Sequence, residues 1–189
     1  MKRMHQTVLI VSTLLASWLG MQAVHETGHV LGAWVSGGTV KQVVLSPWTI
    51  SRTDLVVNPA PLFVVWAGPV FGVLCPVGIW VVATRLRMSG AFALRFIAGF
   101  CLIANGAYIA VGSFDRVGDC GEMLKQGSDL WQLWCFGAVT IPAGLWLWQG
   151  QGPQFGLGAA QGQVDLAVAY RTFAGALLLV VLACVVGGA

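Results

Sequence analysis

His25-Glu26-Thr27-Gly28-His29 is where the chain concentrates its chemistry: two of its three histidines and one of its two glutamates fall within five residues. On a helix, positions four apart share a face, so both imidazoles can reach one metal ion. Glu26 projects about 100° away from His25. That places its carboxylate beside a water on the metal, where it can take the water's proton. The pattern is HExxH, and zinc is the ion it suits. The same residues could instead join helices by hydrogen bonds without a metal. Ionisable groups inside an apolar segment are costly and tend to be functional, which favours the metal.

Two imidazoles do not complete a site. A third histidine six residues after His29 is excluded, because Val35 stands there. The carboxylates left are Glu122, Asp54, Asp115, Asp119, Asp129 and Asp165. Choosing among them requires the elements that would carry them.

The chain is 57% hydrophobic and 9% charged, too few charges to cover a water-facing surface, so its apolar residues must face lipid. A span needs about 20 apolar residues. Five segments qualify: Val8–Trp34, Pro61–Thr84, Ala91–Phe114, Leu130–Trp148 and Leu166–Val186. In lipid the backbone must satisfy its own hydrogen bonds, so these are expected helices. Lys2 and Arg3 before an apolar run resemble a signal peptide, but no small-residue cleavage site follows and the run continues through Trp34. The expected fold is an all-α integral membrane protein with about five transmembrane helices and a short β-hairpin after the first. It forms one polytopic domain over residues 1–189.

The hairpin is expected from Thr39–Leu45 and Ile50–Val57, both rich in β-branched residues, with Ser46-Pro47 between them and Gly37-Gly38 ending the first helix. Ser113–Asp129 carries Asp115, Arg116, Asp119, Glu122, Lys125 and Asp129 and reads as a polar loop turning at Gly118, Gly121 and Gly127. The Gly- and Gln-rich stretch Gln149–Gln163 reads as a flexible connector. Gly28/Gly32 and Gly68/Gly72 are GxxxG pairs, suited to close helix packing or simply ordinary membrane composition. Pro69 and Pro76 are expected to kink the second span. The five cysteines form no CxxC pair and imply no disulfide framework. A net charge of +3 from scattered basic residues argues against nucleic acid as a partner.

If the first helix ends on its motif side, the second leaves and the third returns there. The loop after Phe114 then lies near His25 and His29. Asp115 and Asp119 are the best-placed third ligands, and Asp129 and Asp165 lie nearer other helix starts.

These features, in this order, resemble the site-2 protease family of intramembrane zinc metalloproteases, especially its small bacterial members. HETGH at 25–29 precedes a Gly-Gly break and a β-rich segment. Ala67-Gly68-Pro69 is similar to the Gly-Pro motif of the family's next helix. Asn105 lies upstream of Gly118-Asp119-Cys120-Gly121, which is similar to the family's Leu-Asp-Gly motif. The resemblance spans roughly residues 10–125, a metalloprotease-like core of about 8–125 followed by two further helices over about 130–187. It implies that Asp119 is the third zinc ligand. Gly118 stands for the usual Leu and Cys120 for the Gly after Asp, so Asp115 stays open as a competitor.

The expected activity is hydrolysis of peptide bonds in a membrane-anchored protein substrate. Zinc would be held by His25, His29 and Asp119, with Glu26 as general base and then acid. Asn105 would hydrogen-bond the substrate backbone or the oxyanion, or else another helix. The alternatives are a membrane metal transporter or sensor, and an inactive scaffold of the same fold. The expected location is the lipid bilayer of the cell membrane. With the N-terminus inside, Lys2, Arg3, Arg85, Arg87, Arg95 and Arg171 are cytoplasmic, against Lys41, Arg52, Arg116 and Lys125 outside. That puts the site on the outer side, whereas the resemblance implies a site nearer the cytosol.

Overall fold

A computed structural model describes residues 2–46, 48 and 50–187. Five helices are long and apolar enough to cross a membrane: α1 (Lys2–Val35), α2 (Pro61–Arg85), α3 (Ala91–Gly112), α5 (Leu130–Trp148) and α6 (Leu166–Gly187). The hairpin β1 (Thr39–Val44) and β2 (Arg52–Val57) follows α1, and a short helix α4 (Gly118–Lys125) lies between α3 and α5. The chain is thus all-α, with five membrane-crossing helices and one hairpin. The Ser46-Pro47 turn expected in the hairpin falls partly on Pro47, which lies outside the described residues.

Each helix boundary has a local cause. Gly37 ends α1 at φ +79°. The Gly38 N–H then donates to Ala33 O and the Gly37 N–H to Trp34 O, the two bonds of a Schellman cap. Pro61 opens α2, where its missing N–H costs nothing. Asp129 and Gln132 cap α5 reciprocally, and Asp165 Oδ1 accepts the Val168 N–H at the start of α6. The last two carboxylates are therefore capping groups rather than ligands.

At 34 residues, α1 is about 51 Å long, well over the ~30 Å apolar core of a bilayer. It meets α6 between Leu9 and Ala23 and α2 around Gly28 and Gly32. The α1–α2 contact runs through glycines. A Cβ at Gly28 would stand 2.5 Å from Ala67 O, and one at Gly32 would stand 2.7 Å from Ala67 Cβ. The first GxxxG pair therefore serves close helix packing. Pro69 and Pro76 lie inside α2, which stays one helix through both.

Two expected loops are folded. The polar segment after α3 contains α4, pinned by Cys120 and Met123, which are buried against Val65, Ile109 and Leu133. Residues 149–163 form two 3-10 turns, Gly152–Phe155 and Gly158–Ala160. Phe155 is buried there with Leu9, Ala93, Val168 and Ala169. The Gln6 amide donates to Phe155 O and Gly156 O at 3.0 and 2.9 Å. The stretch expected to be a flexible connector is thus docked on the N-terminal end of α1.

β1 and β2 pair antiparallel, with Val43 opposite Thr53 and Val44 opposite Arg52. Gln22 of α1 fastens the turn end of the hairpin. Its Oε1 accepts from Ser51 N and Ser51 Oγ at 2.9 and 2.7 Å. The hairpin therefore lies over the part of α1 that carries His25 and Glu26.

Candidate metal centre

Three elements bring the site together: α1 supplies His25, Glu26 and His29, α3 supplies Asn105 and Tyr108, and α4 supplies Asp119. His25, Glu26 and His29 are 6%, 5% and 7% exposed, so their protein partners weigh heavily in where their protons sit.

Those partners fix both histidine tautomers. The Asn105 Nδ2 donates to Cys101 O at 2.8 Å, which turns Asn105 Oδ1 towards His25 Nδ1, 2.7 Å away. An acceptor there requires Nδ1 of His25 to carry the hydrogen. His29 Nδ1 faces the carbonyl oxygen of Val64 at 2.9 Å and must also be the donor. In each neutral ring Nε2 is then a bare lone pair. The two Nε2 atoms lie 3.0 Å apart, with Asp119 Oδ2 at 2.8 Å from one and 3.3 Å from the other. Three electron-rich atoms thus converge with no hydrogen to share among them.

A metal ion held among them would relieve this. A single proton would bridge one pair, whereas a metal ion would engage all three. With metal–ligand bonds of about 2.0–2.1 Å, the edges of a tetrahedral site are about 3.3 Å. The observed edges are 2.8, 3.0 and 3.3 Å, so one equals this value and the other two fall short of it, the shortest by about half an ångström. Among the described residues, His25, His29 and Asp119 are the group able to hold a metal ion. A metal ion held by these three would keep a fourth position free, the arrangement found in catalytic zinc sites.

The second GxxxG pair seats these side chains. A Cβ on Gly68 would overlap the His29 ring, and one on Gly72 would stand 2.9 Å from Asn105 Oδ1. Gly68 is also the residue of the Gly68-Pro69 motif.

The other candidates sort as follows. Asp115 lines the same cavity but is not in the ligand group. Asp54 accepts from Gln42 on the hairpin at 2.7 Å and pairs with Arg52. Glu122 pairs with Lys125 and Gln126. Asn105 is 1% exposed, with both ends of its amide engaged. Its bonds are those of an interhelical contact that orients His25, and the residue also lines the cavity beside the triad.

A cavity of about 750 Å³ opens on the triad. Its polar lining includes Glu26, Asp115, Asn58 and Tyr108, and its apolar lining includes Trp18, Met21, Ile50, Leu55 and Val64. Glu26 Oε2 accepts the Thr53 hydroxyl at 2.7 Å. Of the two strands only β2 reaches the cavity, through Arg52, Thr53 and Leu55.

Sequence reasoning missed Thr53, the Val64 carbonyl and Tyr108. Only Tyr108 carried a signal: it lies three residues after Asn105, on the same face of a helix with few other polar side chains.

Searches against protein-family models, curated proteins and solved structures found no match for this chain.

Proposed function

We propose that the chain is an intramembrane zinc metallopeptidase, hydrolysing peptide bonds of membrane-anchored proteins, and a small relative of the site-2 proteases. The observation that carries this reading is the convergence of two bare imidazole nitrogens and a carboxylate oxygen on one point, at the wall of a cavity that also holds a glutamate. Zinc fits the donor set of two nitrogens and one oxygen at these separations. When bound there it supplies Lewis acidity, acidifying water and polarising a carbonyl.

The protein's own groups do the rest. The Thr53 hydroxyl holds one oxygen of Glu26, leaving the other to take a proton from the attacking water. The water oxygen adds to the scissile carbonyl carbon. As the carbon–nitrogen bond breaks, Glu26 returns the proton to the departing amine. Asn105 and Val64 keep the histidine rings in the tautomer the site requires. The free edge of β2 can receive an unwound substrate segment as an added strand, which extends it past the site.

A metal transporter would need polar groups continuing along the helices. The buried hydroxyls of α1 towards its N-terminus do not offer them: Ser12, Thr13 and Ser17 each donate to a carbonyl four residues back.

The test is Glu26→Gln in the full-length protein. Cleavage of a membrane-anchored reporter is expected to fall by about 10²–10⁴-fold with zinc content unchanged. Undiminished cleavage contradicts the proposal. Cation flux into proteoliposomes without cleavage would favour transport instead.

A further inference from the structure

Tyr108 is a polar group at the site to which the hydrolytic reading gives no task. Its hydroxyl accepts the backbone N–H of Asp119 at 3.1 Å. Its ring meets that of His25 edge-on, with centroids 5.9 Å apart. Gly118 leaves room for the phenol, since a Cβ there would collide with its oxygen. The side chain lines the cavity beside the metal ligands. Among the described residues the hydroxyl hydrogen has no acceptor.

Accepting one hydrogen bond polarises a hydroxyl and makes it a better donor. This donor is fixed against the backbone of a metal ligand, in a cavity whose lining is mostly apolar, where a donor aimed at developing charge counts for more than in water. We propose that Tyr108 is a further catalytic residue: its O–H donates to the carbonyl oxygen of the substrate as negative charge builds there during water addition. The hydrogen stays on the phenol throughout, so the proton transfer from water to amine remains with Glu26. This assignment rests on the hydrolytic reading above.

The rival role is structural, with Tyr108 only holding the start of α4 and hence Asp119 in place. Tyr108→Phe separates the two, because it keeps the ring and its contact with His25. The full-length variant is compared with wild type for zinc affinity, for kcat and KM on a membrane-anchored apolar peptide, and for binding of a peptide phosphinate, a tetrahedral mimic. We expect kcat to fall by about 10²–10³-fold, phosphinate affinity to fall in step, and zinc affinity and KM to hold. Equal kcat in the variant overturns the assignment while leaving the hydrolytic reading in place. Zinc affinity falling in proportion to kcat also overturns it and makes Tyr108 a support for Asp119. A wild type that holds zinc but cleaves no peptide removes the hydrolytic reading, and this assignment with it.

Discussion

Near its N-terminus, α1 buries Gln6, whose amide donates to two carbonyls of the 149–163 segment and whose oxygen accepts from Arg3 at 3.0 Å. About five turns further along, the same helix buries His25 and His29, whose Nε2 atoms face each other and Asp119 Oδ2, three acceptors when both rings are neutral. Both clusters are buried, polar and assembled from residues far apart in sequence. The first is complete: each contact pairs a donor with an acceptor. The second has acceptors only. A buried polar cluster that balances its hydrogens holds a fold together, whereas one made of acceptors is suited to hold a cation. Counting hydrogens, rather than polar residues, separates a lock from a site.

The contrast can be broken most strongly through the groups that keep the histidines bare. Asn105→Ala removes the acceptor that holds the hydrogen on His25 Nδ1. Zinc affinity is expected to weaken by about 10–100-fold, read by competition with a calibrated chelator. Unchanged affinity would mean that the tautomer is set elsewhere. The smaller effect belongs to the other end of α1. Gln6→Ala orphans the Phe155 carbonyl and takes one of two donors from that of Gly156, and is expected to cost about 1–3 kcal/mol of stability, seen as a lower melting temperature in detergent. Zinc content should not change. Loss of zinc in that variant would tie the two ends of α1 together and erase the distinction.

The spans were legible because each is a long apolar run with few charges, a signal that needs no tertiary context. His25, Glu26 and His29 were legible for the same reason, since helical spacing alone puts the two imidazoles on one face. Asp119 was not: topology left it level with Asp115, and only family resemblance favoured it. What separates them is α4, a helix hidden by Gly118 and Gly121 and held by the burial of Cys120 and Met123 against three other helices. The 149–163 segment misled for a similar reason. Its composition suits a flexible linker, but it is fixed by Gln6, some 150 residues away. Thr53 and Val64 could not be read from the sequence either, because a lone threonine and a backbone carbonyl gain meaning only from what faces them.

The measurement that bears most directly on the metal centre is zinc stoichiometry in the purified full-length protein, compared with His29→Ala and Asp119→Ala after equal exposure to zinc and equal washing. The account predicts one zinc per wild-type chain and almost none in either variant, with all three still folded. Wild type without zinc, or an Asp119→Ala protein that keeps its full complement, would contradict it.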